Sequence, residues 1–255
     1  MNTFGIIIGQ RPPNAYTRLR VNAPGQAPPR MAASAAPPPT LLPRPRRIPH
    51  EFYPTPPEAT RALLSVERFD GDIWEPACGH GAIARELIDA GYKTVATDLV
   101  DHGYGVSGID FLRQEKPLAR HIVTNPPYGS GLAAAFITKA LAFTRQTHGS
   151  VAMLINLASL AHRTRTAWWR QHPPARLYAI DDIVCWPEHL YGPAPEYFTR
   201  HRYCWAVWTR DHSIGGASST HAEGVSSTRR PTFWWLSAAE FRAPRPLPNN
   251  NKKRR

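Results

Sequence analysis

Asp72-Ile-Trp-Glu-Pro-Ala-Cys-Gly-His-Gly-Ala-Ile-Ala-Arg-Glu-Leu-Ile-Asp-Ala-Gly91 holds a strand, a glycine turn and a helix in one stretch. Ile73 and Trp74 carry the strand, Gly79 and Gly81 the turn, and Ile83, Leu87 and Ile88 share one helical face that ends at Gly91. Glycines between a strand and a helix let the backbone come close to a ligand. Cys78 and His80 in the same turn read as loop and packing residues.

Working outward, Thr94-Val-Ala-Thr-Asp98 is a second strand. Its terminal acid lies roughly 20 residues beyond the glycines, the separation at which a carboxylate reaches ribose hydroxyls in nucleotide-binding βαβ units. A short strand then leads to Asp110-Phe-Leu112. Either acid also reads as a helix N-cap. His121-Ile-Val-Thr-Asn-Pro-Pro-Tyr-Gly-Ser-Gly131 follows, an apolar run that turns into Asn-Pro-Pro-Tyr. Two prolines with fixed φ and no N–H make the turn stiff and rich in exposed acceptors. The Asn125 side-chain oxygen and the Pro126 carbonyl can face a planar amino group, and the Tyr128 ring can lie on the flat face of its carrier.

Leu132, Phe136, Ala140 and Thr144 recur at four-residue spacing, with Ile137 and Leu141 beside them, so a helix is expected before Gly149. Val151-Ala-Met-Leu-Ile155 is apolar on both faces, as a central parallel strand is. A helix is expected over 158–171, in which one of Trp168 and Trp169 packs and Arg163 and Arg165 face solvent or nucleic acid. Leu177 to Cys185 and Arg202 to Thr209 are the last two strands, joined by a long aromatic loop. The pattern predicts a doubly wound, largely parallel sheet with helices on both faces and an antiparallel last hairpin.

The four residues Asn125, Pro126, Pro127 and Tyr128 resemble the catalytic motif of the S-adenosylmethionine-dependent adenine methyltransferases, and other motifs of that family precede them in the expected order. The resemblance covers roughly residues 51 to 210. It implies a Rossmann-like class I methyltransferase fold with a mostly parallel seven-stranded sheet and an antiparallel last strand. S-adenosylmethionine is the implied cofactor, and methyl transfer to the N6 amino group of a flipped adenine in DNA is the implied reaction. Tyr53, Thr55 and Pro56 match a segment that holds the cofactor's methionine end, and Glu75 and Pro76 extend the glycine motif, with Glu75 on the amino-acid portion. Asp98 falls to the ribose, Asp110 to the adenine amine and Phe111 to the adenine ring. Trp186, and next Tyr191, are the candidates for the aromatic that closes over the flipped base. From the residues alone, Thr55 followed by Pro56 and Glu58 also reads as a capped helix start.

The chain of 255 residues, 42% of them hydrophobic, holds one sizeable core. No apolar run reaches the roughly 18 residues of a membrane span, so a soluble protein is expected, and the resemblance implies the cytoplasm of a bacterium or phage-infected cell. Cys78, Cys185 and Cys204 have no metal-ligand spacing, and no metal is expected. The net charge of +12 is carried by the ends. Residues 1 to 50 hold seven arginines and no acid, and 212 to 255 hold eight Lys/Arg against Glu223 and Glu240. Residues 51 to 211 are near neutral, with 16 Lys/Arg and 17 Asp/Glu. Basic arms of this kind add salt-sensitive affinity for a phosphate backbone, or are simply solvated.

The expected organisation is a Pro/Arg-rich tail over 1–47, a methyltransferase domain over 48–211, and a flexible basic tail over 212–255 with a short ordered patch at 232–236. Met31 is a second candidate start. No separate recognition domain is visible, so a short DNA site, or a partner protein that supplies specificity, is expected. A ribosomal RNA or glutamine methyltransferase, or a non-enzymatic nucleic-acid-binding protein on the same fold, is the alternative.

Overall fold

The computed structural model describes residues 48–196, 201–209 and 231–242. It divides the chain into residues 1–45 and 46–255, and everything described lies in the second unit. The tail expected over 1–47 and most of that over 212–255 lie outside the described residues.

In chain order the main elements are α1 (Pro57–Val66), β1 (Ile73–Glu75), α2 (Ala82–Asp89), β2 (Thr94–Ala96), β3 (His121–Thr124), α3 (Leu132–Thr147), β4 (Val151–Asn156), α4 (Thr166–Gln171), β5 (Arg176–Ile180), α5 (Glu188–Tyr191), β6 (Tyr203–Trp208) and β7 (Thr232–Leu236). The strands form one sheet in the order β2-β1-β3-β4-β6-β5-β7. Strand β6 is antiparallel to both neighbours, and every other pair is parallel. This is the mixed, doubly wound Rossmann-like sheet that the sequence pattern predicts.

Strand alternation divides the interior into two cores. Ile73, Val123, Leu154, Tyr178, Trp205 and Val207 pack with Ala59, Leu63, Ile83 and Leu87 of α1 and α2. Their sequence neighbours Trp74, Ile122, Met153, Leu177, Cys204 and Trp208 pack with Phe136, Ile137, Ala140, Leu141 and Phe143 of α3, and α4 joins the same side through Trp168 and Trp169. Strands buried on both faces have to be apolar at consecutive positions, and Val151 to Ile155 is the clearest case. The Trp205 indole donates to the Ala59 carbonyl at 2.9 Å, so a buried ring both fills the core and fixes α1 on the sheet.

The structure departs from the sequence reading at several places. The short strand expected before Asp110 is reduced to a single parallel bridge, Thr97 with Val106. The seventh strand is instead β7, the segment expected to be a short ordered patch; it pairs with β5 through five residue pairs, from Arg176↔Thr232 to Ile180↔Leu236. Strand β5 stops at Ile180, not Cys185, because Asp182 takes a left-handed backbone (φ 46°) and the Asp181 carboxylate turns to accept the Ala238 N–H at 2.7 Å. The single helix expected over 158–171 is a 3-10 turn, Leu157–Ala161, and a separate α4. His162 is extended at the break, with its Nδ1 2.9 Å from the Thr164 hydroxyl, a local side-chain bond that competes with helix. Both Trp168 and Trp169, rather than one, are half-buried against the second core.

Helix α1 also begins differently. Its N-cap is Pro56, no side chain caps it, and the Thr55 hydroxyl is buried without a partner. The side-chain cap expected from Thr55 is not formed. Among the described residues no helix is long and apolar enough to cross a membrane.

Candidate active site

From β1 the chain moves outward to β2, then returns on the other side of β1 as β3. That reversal is the topological switch point, where the carboxyl ends of strands in such sheets leave a crevice. A cavity of about 290 Å³ lies there. Tyr53, Thr55, Glu75, Pro76, Gly79, Asp98, Asp110, Phe111, Asn125 and Pro127 all line it. Ten of the fourteen residues expected for cofactor and catalysis thus meet at one place, although the chain between Tyr53 and Pro127 is long.

The glycine turn is built around Asp98. Its carboxylate accepts the Gly79 N–H at 2.8 Å and the Val100 N–H at 2.9 Å, which staples the turn to the end of β2. A carboxylate has about four acceptor positions, so about two remain for hydroxyls in the cavity. Gly79 has φ +53°, and a Cβ there would meet the Phe52 ring at 2.8 Å. At Gly81, φ is +84° and a Cβ would strike the Tyr104 ring at 2.5 Å. Gly81 therefore shapes the start of α2 and, against expectation, does not line the cavity.

Glu75 is 1% exposed, and its Oε2 has no hydrogen-bond partner. Burial raises its carboxyl well above the ordinary range, opposed by the Ala84 backbone N–H and assisted by the negative charge of Asp98. Thr55 Oγ1 is the second buried, unpartnered atom on the wall. Two such atoms in one cavity leave hydrogen-bonding capacity that the protein itself does not use. Asp110 serves two purposes: its side chain accepts the Leu112 N–H at 3.0 Å as an N-cap and pairs with Arg113 at 3.3 Å, while the residue borders the cavity. Phe111 packs between Trp74, at 5.1 Å, and Phe136, at 4.8 Å between ring centres, and contributes to the wall from within the second core.

The Asn-Pro-Pro-Tyr turn leaves β3 at the same crevice. The Asn125 Nδ2 donates to the Tyr53 carbonyl at 2.9 Å, and its Oδ1 accepts from the Tyr128 hydroxyl at 2.5 Å. That hydroxyl is also 2.9 Å from the Leu154 carbonyl of β4. The Tyr128 ring is half-buried against the first core and, like Pro126, does not line the cavity. Burial raises the Tyr128 hydroxyl well above its ordinary value, with the nearby Cys185 thiol next in effect, so it stays a donor. Cys78, beside Glu75, is pushed up to about 12, first by burial and then by Glu75 and Asp98, and is an inert wall residue.

Other expected residues lie elsewhere. Trp186 and Pro56 line a neighbouring cavity of about 360 Å³ that shares Pro54, Thr55, His80 and Ala82 with the first and is not bordered by Asn125. The Trp186 indole donates to the Gly192 carbonyl at 2.8 Å, and Tyr191 is exposed 6.2 Å from it. The structure does not bring Trp186 opposite Tyr128. Arg163 and Arg165 stand in the turn before α4 and border neither cavity. Among the described residues no group of His, Cys, Asp or Glu could hold a metal.

Sequence reasoning missed Phe52 and His102, which stack at 4.3 Å and line the cavity, with His80 edge-on to Phe52 at 5.3 Å. Phe52 had a signal, its place beside Tyr53; His102 had none. It also missed Leu132 and Phe136, whose helical periodicity marks them as core but not as cavity wall.

No family model and no curated protein sequence matches the chain. Several solved structures are similar to it. One, described as the modification subunit of a type I restriction enzyme from Vibrio vulnificus, is 14% identical over 72% of this chain and 46% of its own, with a TM-score of 0.45. This chain thus spans about half the length of that subunit. A protein described as an RNA methyltransferase from Pyrococcus horikoshii is 13% identical over 60% of this chain and 80% of its own, with a TM-score of 0.44. A TehB-like SAM-dependent methyltransferase from Corynebacterium glutamicum is 15% identical over 60% and 87%, with a TM-score of 0.39.

Proposed function

We propose that this chain transfers a methyl group from S-adenosylmethionine to the N6 amino group of adenine in DNA. The observation that carries this reading is that Asn125 and Pro127 border the same switch-point cavity as the glycine turn, Glu75, Asp98 and Asp110.

The residues present fit the cofactor. The unpartnered Glu75 Oε2 suits its ammonium group and the unpartnered Thr55 hydroxyl its carboxylate. Asp98 keeps acceptor capacity for ribose hydroxyls, and the wall formed by Ile109, Asp110 and Leu112 suits the adenine. When bound, S-adenosylmethionine supplies an electrophilic methyl group on a sulfonium. An amino group paired inside a duplex cannot reach the cavity, so the target adenine leaves the stack. Its amine is a poor nucleophile because the lone pair is delocalised into the ring. Acceptance of its two N–H bonds by Asn125 Oδ1 and by the Pro126 carbonyl, between the cavity-lining Asn125 and Pro127, favours the localised lone pair that forms the new nitrogen–carbon bond as the methyl–sulfur bond breaks, and the surplus proton passes to solvent. The half-buried Tyr128 ring, which does not line the cofactor cavity, offers a flat face to the base where the turn leaves β3, and the exposed Arg163, the partly buried Arg165 and the basic chain ends supply affinity for phosphates. Trp186 and Tyr191 reach the extruded base only if their loop moves toward Asn125.

The test is transfer of a labelled methyl group to duplex DNA, ribosomal RNA and a release-factor-like protein in parallel, with nucleoside analysis. N6-methyladenine in DNA, lost on Asn125→Ala while cofactor Kd stays within about threefold, is the expected result. Label confined to RNA or protein, or full turnover by Asn125→Ala, overturns the substrate or the catalytic assignment respectively.

A further inference from the structure

The Asn125 amide is held from both ends. Tyr53 offers a carbonyl, which can only accept, so Nδ2 must face it; Oδ1 is thereby turned to the Tyr128 hydroxyl. That hydroxyl has one proton and two acceptors, Asn125 Oδ1 at 2.5 Å and the Leu154 carbonyl at 2.9 Å. That one proton is shared between the two or serves one of them, with the shorter contact to Asn125, so Tyr128 bridges Asn125, just beyond the end of β3, and the middle of β4. Its ring is packed against the first core, so the hydroxyl cannot follow a wandering amide. A flip of the Asn125 amide would set Oδ1 against the Tyr53 carbonyl, acceptor against acceptor, and a swing of the side chain would give up its contact with the Tyr128 hydroxyl. Oδ1 keeps a second lone pair, and the clamp fixes where it points.

We propose that Tyr128 is a positioning residue that acts through its hydroxyl: it locks the Asn125 amide with Oδ1 presented for the incoming amine. The inference rests on the reading of Asn125 as acceptor of that amine, and it adds a second duty to a side chain whose ring alone would suffice for stacking. The fixed hydroxyl also sets the plane of the ring.

Tyr128→Phe keeps the ring and deletes only the clamp. For methyl transfer to an adenine-containing duplex, kcat should fall about 10- to 100-fold, while KM for the duplex and Kd for S-adenosylmethionine stay within about threefold. Wild-type kcat in Tyr128→Phe, or a loss confined to KM, would overturn the proposal. A second readout does not depend on activity. In protein labelled with ¹⁵N asparagine, the Asn125 side-chain amide should exchange with solvent at least about tenfold faster in Tyr128→Phe than in wild type, and equal rates would overturn the clamp. Should wild type methylate no adenine, the proposed substrate fails, while the exchange comparison still decides whether the clamp exists.

Discussion

Glu75→Gln should make the free protein more stable and the cofactor weaker. In the free protein the Glu75 carboxyl is 1% exposed with Oε2 unpartnered, and burial raises it well above its ordinary value of 4.5. A carboxyl so raised holds a proton that the unfolded chain has already released, so stability falls as pH rises from near 4.5 toward the raised value, and the deficit remains above it. Every tenfold of added proton affinity corresponds to about 1.4 kcal/mol of that deficit. Glutamine keeps the shape and an acceptor for the Ala84 N–H but carries no charge; its own amide is still buried, which offsets part of the gain. A net stabilisation of about 1–2 kcal/mol at pH 8 is expected, or roughly 2–8 °C in Tm for a chain of this size. Loss of the carboxylate opposite an ammonium should weaken S-adenosylmethionine by about 2–3 kcal/mol, or roughly 30- to 150-fold in Kd. The ammonium lowers the raised carboxyl, so wild type should release a proton on binding below that raised value and Glu75→Gln should not. Calorimetric titration in two buffers of different ionisation enthalpy measures affinity and proton release together, and a thermal melt gives the stability. Unchanged affinity, or a lower Tm for the free variant, would refute the assignment of Glu75 as a site preformed at the expense of stability.

Gly79→Ala places a Cβ 2.8 Å from the Phe52 ring at a φ of +53°, so a loss of about 1–2 kcal/mol in stability and about tenfold in cofactor affinity is expected by melt and titration. Glu67→Ala removes the acceptor of the Arg176 guanidinium, at 2.5 and 2.8 Å, and of the buried Tyr178 hydroxyl at 2.6 Å; with Arg176 partly exposed, denaturant unfolding should register a loss of about 2–4 kcal/mol. His80 is held below its ordinary 6.5 first by burial and next by His189. Stability should therefore be lost as pH falls from 6.5 toward the lowered value, and a stability profile of His80→Gln should lack that acid limb.

Much of the site was legible because its signals are local. The strand, the glycine turn and α2 follow from residue spacing within one stretch, and Asp98 stands just beyond the end of β2. The Asn-Pro-Pro-Tyr turn is dictated by proline geometry. What was misread involved choices between two locally satisfactory outcomes. Thr55 has the spacing of a capping residue, yet helix α1 starts after Pro56 and the hydroxyl is left buried and unpartnered at the cavity. The run 158–171 has helical composition, but His162 is extended and splits it. Thr232–Leu236 is short and isolated in sequence, and becomes a strand because β5 offers it a free edge.

By itself, then, the sequence determined the alternation of strands and helices, the two-sided burial of the central strands, and the acids and acceptor-rich turn at the strand ends, all of which depend on periodicity and backbone stereochemistry within a few residues. Only the tertiary structure decided which side chains remain unsatisfied and which hold one another. Asn125 meets Tyr53 across 72 positions and Tyr128 meets Leu154 across 26, while Trp186 faces a separate cavity. Such pairings depend on the order in which strands lie side by side, and that order is set by burial of the whole sheet rather than by any local run of residues.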